Sequence, residues 1–475
     1  MESLIGRKKE LTEFNRLSNT GASEFIAIYG RRRVGKTFLV REAFKNKFDF
    51  YLTGMANVTL TQQLSNFHLA ITKYDSTGII TIPANSWLNA FDQLSSVLEK
   101  KKTKKKIVFL DEMPWLDTPR SGFIQALEYF WNSWASARKD ILLIVCGSAA
   151  SWMINTLIRN KGGLYNRVTH RMKLDPFTLH ECEQYFSSRS GAYDRYQLIQ
   201  LYMVMGGIPF YLKQVDTGRS AAQNINKLCF NPEGILFNEF DTLYRSLFNN
   251  AEKHISVIEA LSKKAKGMTR EELIRAAKMP GGGATTRTLL ELEESNFIKK
   301  YNFYGRKEKN SLYQLTDFYS LFYLKFINRE NTLDENHWLT GLNTPKQLAW
   351  AGYAFEQVCF AHLPQIKKGL GIAGVQTTAS SWTGNTKQKG AQIDLVLERN
   401  DRVINLCETK FSIDTFTIDK KYAEELRTKV SLFREQTQTR KAVFLTMITT
   451  YGLNRNMHAL SLVQNELTMD ALFEA

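Results

Sequence analysis

The chain has 475 residues, with 63 Lys and Arg against 47 Asp and Glu, so its formal net charge is +16. This length allows two to four domains, and the basic excess favours a polyanionic partner, either nucleic acid or an anionic membrane surface. The sequence has no run of eighteen apolar residues, so we expect no membrane-spanning helix. Without an apolar N-terminal signal region or metal-ligand spacing among the five cysteines, we expect a cytoplasmic protein with reduced thiols.

The first motif is a glycine-rich loop between an apolar strand and a helical pattern that extends to about Ala43. The pattern Gly-x-x-x-x-Gly-Lys-Thr predicts a phosphate-binding loop, because glycine lets successive backbone N–H groups turn towards phosphate oxygens. We expect Lys36 to contact the β- and γ-phosphates of ATP and the Thr37 hydroxyl to bind Mg²⁺. The predicted nucleotide-binding residues of the loop are Gly30, Arg31, Arg32, Arg33, Val34, Gly35, Lys36 and Thr37.

Two further apolar strands are predicted to end beside this loop. One ends in Asp111 and Glu112, and the other ends at Ser148. In an open parallel sheet, ligands bind at the carboxyl ends of the strands. We therefore expect Asp111 to hold Mg²⁺, Glu112 to polarise the attacking water, and Ser148 to sense the γ-phosphate.

Arg167 follows a Gly-Gly-Leu-Tyr-Asn segment and is a candidate arginine finger, acting in cis or on a neighbouring subunit of a homo-oligomer. The alternative is a surface arginine.

Helical patterns continue through residues 178–249, which we expect to form a lid. Together these motifs resemble the archaeal-type ATPases of the signal-transduction (STAND) class within the AAA+ proteins. The resemblance implies that the segment Gly207-Ile208-Pro209 contacts bound nucleotide, so Pro209 joins the predicted binding residues.

Residues 250–330 have the pattern of a winged helix. Three helices are predicted: the first at 254–261, the second directly after a capping box at Thr269, and the third at 285–294. Two strands follow, and a basic wing at 303–310 joins them. The third helix would present Thr285, Thr286 and Arg287 to phosphates or base edges. The alternative is a domain that serves only as an internal hinge.

The C-terminal part, residues 345–475, places acids on a helix and on a predicted hairpin. Glu356 lies on the helix, Asp394 on the first strand, and Glu408 and Lys410 on one face of the second. This set resembles the PD-(D/E)XK nuclease core, although Ile393 replaces the proline of the name motif. The resemblance implies that Asp394 and Glu408 bind Mg²⁺, that Lys410 holds the attacking water or the phosphate, and that Glu356 is the helix acid.

The sequence therefore predicts an α/β protein with a P-loop parallel-sheet ATPase domain at residues 1–177. A helical lid, a winged helix and a restriction-endonuclease-like α/β domain follow. The whole resembles archaeal-type ATPases with a DUF234-type C-terminal domain. We expect an ATPase that acts on DNA, with nucleotide state gating a Mg²⁺-dependent nuclease. The alternative is a regulatory switch whose C-terminal domain only binds nucleic acid or a protein partner. A small-molecule kinase is disfavoured by the lid and the C-terminal part.

Overall fold

The computed structural model describes residues 4–78, 80, 82–148, 152–158, 166–248, 250–301, 304–305, 311–328, 336–385 and 390–475. The chain divides into two compact units, residues 1–176 and residues 177–475. None of the helices in these described ranges is both long enough and apolar enough to span a membrane.

The first unit is built on a five-stranded sheet in which all strands are parallel, in the order β2-β3-β4-β1-β5. Its strands are β1 Glu24–Tyr29, β2 Phe50–Thr53, β3 Lys106–Asp111, β4 Ile141–Cys146 and β5 His170–Lys173. All six residues of β4 are buried, as expected for a parallel strand that is covered on both faces. Because β4 lies between β1 and β3, the loop after β1 and the acids after β3 meet across the end of β4.

Helices cover the sheet of the first unit. Their bounds are Lys8–Ser18, Lys36–Ala43, Leu60–Tyr74, Trp87–Lys100 and Phe123–Phe130, with shorter turns at Met113–Trp115, Trp131–Ala135 and Met153–Ile158. Aromatic side chains fix the packing between these helices and the sheet. The rings of Trp87 and Phe123 meet edge to face with centroids 4.9 Å apart, and Phe50 on β2 packs against Phe67 at 5.4 Å.

The second unit begins with short helices at Leu179–Ser188, Arg195–Met205, Pro209–Leu212, Ala221–Cys229 and Glu239–Arg245. Three helices follow, at Ala251–Ser262, Arg270–Ala276 and Gly283–Glu294, and then Phe318–Phe322, Tyr323–Ile327 and His337–Thr340. Strands β6 Met268–Thr269, β7 Ile298–Tyr301 and β8 Leu312–Leu315 form an antiparallel sheet in the order β6-β8-β7. The predicted capping box at Thr269 is confirmed, because its side chain and that of Glu272 bond reciprocally to backbone N–H groups.

A second five-stranded sheet, in the order β13-β12-β11-β10-β9, completes this unit. Its strands are β9 Thr377–Asn385, β10 Gly390–Arg399, β11 Val403–Lys410, β12 Ala442–Thr449 and β13 Asn465–Thr468. Strand β10 is antiparallel to both of its neighbours, β9 and β11, whereas β11, β12 and β13 run parallel. Helices lie at Pro345–Ala361, Leu363–Gly369, Lys420–Thr437 and Met457–Leu462, followed by a last turn at Met469–Phe473.

One residue of the predicted DNA-facing helix is not accessible. Thr285 is 1% exposed and its hydroxyl donates to the backbone oxygen of Pro280 at 2.5 Å, so the prediction that it meets phosphates or bases is wrong. Thr286 and Arg287 are exposed. Most of the predicted basic wing, residues 303 and 306–310, lies outside the described residues.

A buried histidine ties two helices of the second unit together. His362 is 0% exposed, its Nε2 accepts the backbone N–H of Leu179 at 2.9 Å, and its Nδ1 donates to the backbone oxygen of Val358 at 2.8 Å. The Leu179 N–H lies in the first turn of a helix, where it has no partner within the helix itself. Burial lowers the pKa of His362 from 6.5 to about 4, so the folded protein keeps the imidazole neutral.

We expect His362 to lower the stability of the second unit as the pH falls from 6.5 towards 4, relative to a variant that cannot titrate at this position. The unfolded chain binds a proton at His362 in this window whereas the folded chain does not, so the contribution of His362 is complete above pH 6.5 and drops by about 3 kcal/mol on acidification. Denaturant unfolding of wild type and His362→Gln at several pH values measures the effect. The glutamine cannot titrate, so the stability of this variant should fall less on acidification than that of the wild type. Equal slopes for wild type and His362→Gln would refute this role.

Candidate functional site

The loop after β1 has backbone geometry that its glycines make accessible. Gly30 has a φ of +145° and Gly35 a φ of +89°, both in the region that glycine occupies readily. A Cβ on Gly30 would lie 2.3 Å from the backbone oxygen of Leu174, so the chain at the end of β5 leaves no space for a side chain. Gly35 caps the helix Lys36–Ala43, whose first N–H groups are available to an anion.

The Lys36 side chain lies across this loop. It is 5% exposed, and its ammonium donates to the backbone oxygens of Gly30 at 3.1 Å and Arg31 at 3.0 Å. Burial lowers the pKa of Lys36, while the nearby Cys146, Glu112 and Asp111 oppose that shift. A cation held against carbonyl oxygens in a buried loop suits the binding of phosphate oxygens.

Asp111 lies directly beside the loop. Its Oδ1 accepts hydrogen bonds from the Thr37 hydroxyl at 3.1 Å and from the Cys146 thiol at 2.7 Å, and the Tyr51 hydroxyl donates to its Oδ2 at 3.4 Å. Asp111 is 3% exposed, and burial raises the pKa of its carboxyl. The adjacent oxygens of Thr37 and Asp111 are the donor type that Mg²⁺ prefers, so these residues fit the predicted ion.

Glu112 and Ser148 form the neighbouring pair. The Ser148 hydroxyl donates to Glu112 Oε1 at 2.6 Å and its backbone N–H donates to Oε2 at 3.2 Å. Glu112 has a left-handed φ of +46°, which turns the chain immediately after β3. The structure thus places Lys36, Thr37, Asp111, Glu112 and Ser148 at one edge of the sheet.

Two other predicted residues lie outside this group. Arg167 is exposed in a turn before β5, and the preceding residues 161–165 lie outside the described residues. Pro209 opens a short helix of the second unit, after Gly207 at a φ of +68°. The roles of Arg167 and Pro209 stay predictions.

The second group of acids is assembled by the β10–β11 hairpin and the helix Pro345–Ala361. Leu395 on β10 pairs with Cys407 on β11, so Asp394 and Glu408 are the next residues along the two strands. Burial and, after it, the charges of Asp394 and Glu408 together raise the pKa of Glu356 to about 8. The three carboxyl groups are therefore close enough to repel one another.

Glu408 has partners that the sequence does not reveal. It is 4% exposed, both of its carboxylate oxygens accept hydrogen bonds from Lys429 Nζ at 2.7 Å, and the Tyr422 hydroxyl donates to it at 3.3 Å. Lys410 Nζ lies 4.4 Å from the centre of the Tyr422 ring. Lys429 lies on the helix Lys420–Thr437, which no local motif connects with the hairpin.

Gln392 was also missed, although the sequence carries a signal for it. Its side-chain N–H donates to Asp394 Oδ1 at 2.6 Å, and it lies two residues before Asp394 on the same strand. Within the described ranges, no group of three or more His, Cys, Asp and Glu side chains has an arrangement that could hold a metal ion. The metal roles of Thr37, Asp111, Asp394 and Glu408 stay predictions.

Comparison with known proteins agrees with the geometry of the first unit. The sequence model of a family described as an ATPase domain predominantly from Archaea matches residues 4–215. The uncharacterized protein MJECL04 of Methanocaldococcus jannaschii is 23% identical over 411 residues, which cover 86% of this chain and 87% of the relative. The uncharacterized ATP-binding protein MJ0423 of the same organism is 44% identical over 43 residues, which cover 9% of this chain and 73% of the relative.

A solved structure shares the fold. The Walker-type ATPase PABY2304 of Pyrococcus abyssi is 18% identical and has a TM-score of 0.50, and the match covers 68% of this chain and 96% of that chain. The chain therefore carries an archaeal-type ATPase domain with a parallel-sheet P-loop core. This confirms the predicted class of the N-terminal domain.

The loop geometry gives a stability prediction. Gly30→Ala should cost about 2 to 4 kcal/mol of unfolding free energy, because the new methyl group collides with the Leu174 backbone oxygen and φ is unfavourable. The matched control is Gly21→Ala in the same unit, where a Cβ meets nothing within 4 Å, and it should change stability by less than about 0.5 kcal/mol. Denaturant unfolding measures both variants, and equal stabilities would contradict the loop geometry.

Proposed function

We propose that the protein binds ATP together with Mg²⁺ at the edge of the first sheet and hydrolyses it. The observation that carries this proposal is the hydrogen bond between Thr37 of the glycine-rich loop and Asp111 at the end of β3. It joins a phosphate-binding loop to a buried carboxylate. When bound, Mg²⁺ would neutralise charge on the β- and γ-phosphates.

The residues of this edge have separate roles in the proposed reaction. The loop N–H groups and Lys36 bind the phosphates and fix their position. Glu112 orients the attacking water and accepts its proton. The Ser148 hydroxyl holds the Glu112 carboxylate from the neighbouring strand. Arg167 would add positive charge to the transition state, in cis or from a second copy, and Pro209 would link the nucleotide to the second unit.

Two substitutions separate binding from chemistry. Lys36→Ala should abolish ATP hydrolysis and weaken nucleotide binding strongly, since the cation over the phosphates is lost. Glu112→Gln should still bind ATP, because Asp111 remains. Its rate of hydrolysis should fall by at least about 100-fold, because the group that accepts the proton of the attacking water is gone. Phosphate release and equilibrium ATP binding measure the two effects, with exposed Lys47→Ala as the control. Equal loss of binding in both variants would contradict these separate roles.

For the second unit, we propose an action on DNA. The order helix, strand, helix, helix, strand, strand over residues 251–315 supports a winged helix, and the helix that precedes a hairpin with acids supports a PD-(D/E)XK nuclease-like domain. In this proposal, nucleotide state gates cleavage of a phosphodiester bond. Asp394 and Glu408 would hold Mg²⁺, and Lys410 would position the attacking water or the phosphate.

The second candidate is a regulatory switch in which the C-terminal domain binds nucleic acid or a protein partner without cleaving it. The ion pair between Lys429 and Glu408 favours this candidate. Both carboxylate oxygens of Glu408 are occupied by one ammonium group, which neutralises a predicted metal ligand. A metal ion at Glu408 would compete with Lys429 for the charge of this carboxylate.

A cleavage assay separates the two candidates. If the domain is a nuclease, Asp394→Ala and Lys410→Ala should each remove Mg²⁺-dependent cleavage of labelled DNA or RNA, while ATP hydrolysis stays within about twofold of wild type. The exposed Lys420→Ala on the same domain is the control. Robust cleavage by both variants would exclude this site. Metal binding without cleavage of any nucleic acid by the wild type would establish the switch.

A further inference from the structure

A large cavity lies beside the second group of acids. It has a volume of about 880 Å³, within the range of roughly 300 to 1,000 Å³ that is typical of ligand sites. Its walls come from the antiparallel sheet β6-β8-β7, the helix Pro345–Ala361, strands β9 and β10, and the helix Lys420–Thr437. Glu356 and Asp394 line the same cavity. The cavity therefore opens onto the proposed nuclease-like site.

One wall of the cavity is a single face of a helix. Tyr353, Glu356, Gln357 and Phe360 all line it, and their spacing of three, four and seven residues places them on one side of the helix Pro345–Ala361. This face combines two aromatic rings with an acid and an amide. A helix face that serves only as core would be apolar throughout.

Gln357 is the residue that points to a ligand. It is 4% exposed and lines the cavity, yet no side chain or backbone group in the described ranges hydrogen-bonds with its amide. The two other cavity-lining amides have partners. Gln314 donates to the backbone oxygen of Ala265 at 2.8 Å, and Gln392 donates to Asp394 at 2.6 Å. The Gln357 amide opens onto the cavity, so its donor and acceptor are accessible to an incoming group.

The aromatic side chains suit a flat ligand. The rings of Tyr301 and Phe360 have centroids 5.5 Å apart and are tilted by 55°, and both line the cavity together with Tyr353. Aromatic surfaces of this kind stack on nucleobases regardless of their sequence, and an amide recognises the hydrogen-bonding edge of a base. A base that remains stacked in a duplex does not expose its ring face, so it cannot stack on these aromatic side chains.

The charges of the cavity select among ligands that contain a base. Lys266, Lys421 and Lys429 line it, but so do four acids, Glu356, Asp394, Glu424 and Glu425. A free nucleoside triphosphate would bring several negative charges against these acids. A nucleotide within a strand carries one charge for each phosphodiester group, which Lys266 and Lys421 can match, whereas Lys429 is paired with Glu408.

We propose that this cavity binds an unpaired nucleotide of a nucleic-acid strand. The base stacks on Phe360, with the tilted ring of Tyr301 at its edge, and hydrogen-bonds with Gln357. Its phosphate lies towards Asp394 and the Mg²⁺ that this residue would hold. The inference rests on the proposed action on nucleic acid and names the form of the substrate: a single strand, an end or a nucleotide turned out of a duplex.

The test is equilibrium binding of a short single-stranded oligonucleotide that carries 2-aminopurine, measured by fluorescence with the full-length chain. The oligonucleotide has a nuclease-resistant phosphorothioate backbone, so Mg²⁺ stays in the buffer without cleavage during the measurement. The wild type should bind the single strand at least about tenfold more tightly than the same sequence in a duplex. Gln357→Leu should weaken binding of the single strand by about tenfold, because the amide no longer meets the base.

Matched variants test whether unfolding, rather than a lost contact with the base, explains weaker binding. Gln347 lies on the same helix, outside the cavity, and donates to the backbone oxygen of Trp338 at 3.0 Å. Gln347→Leu should lower the melting temperature but leave the affinity unchanged, whereas Gln357→Leu should keep or raise the melting temperature. Phe360→Leu should weaken binding, and Phe360→Trp should preserve it through stacking.

Several results would overturn the inference. These are a Gln357→Leu affinity within twofold of wild type, tighter binding of the duplex, no binding of either probe, or displacement of the probe by ATP in a Lys36→Ala background. Binding that depends on Gln357 in a wild-type protein that never cleaves would refute the nuclease proposal alone. Cleavage by the wild type that Gln357→Leu leaves unchanged would refute the cavity assignment alone.

Discussion

The hydrogen bond between the Thr37 hydroxyl and the Asp111 carboxylate joins the start of the helix after β1 to the end of β3, between residues 74 apart in sequence. It forms only because β1 and β3 end at the same edge of a parallel sheet, and because β4 separates them by one strand width. The apolar character of β4 is therefore as important to the site as the polar residues themselves. Cys146, the last residue of β4, adds its thiol to the same carboxylate. The geometry of the candidate ATP site is a consequence of strand order.

The second site depends on how the charges of its buried carboxyl groups are compensated. An antiparallel hairpin brings Asp394 and Glu408 together, and Glu356 joins them from a helix, so three acids share a partly buried space. Lys429 compensates the buried charge of Glu408, and the removal of one partner from such a pair leaves an uncompensated charge. The same arrangement leaves Glu356 and Asp394 facing the cavity. The availability of Glu408 thus decides between a nuclease and a binding module.

Local motifs predict the first site well and the second only in part. Residues 30–37 are contiguous, and Asp111, Glu112 and Ser148 each end an apolar run, so their placement follows from general rules for parallel sheets. Lys429 and Gln357 acquire their positions from packing between distant elements, which spacing cannot reveal. Strand β9 has the sequence Thr-Thr-Ala-Ser-Ser-Trp-Thr-Gly-Asn, with no alternation of apolar residues that would predict it. Thr285 was misplaced because the preceding turn at Pro280 covers it.

The most direct test of the central claim is a calorimetric titration of the full chain with ATP, with and without Mg²⁺, for wild type and Thr37→Val. The valine retains the shape of the side chain but removes the hydroxyl beside Asp111. The account predicts one ATP per chain, tighter binding with Mg²⁺, and loss of most of this Mg²⁺ dependence in Thr37→Val. No ATP binding by the wild type, or the same Mg²⁺ dependence in both proteins, would contradict it.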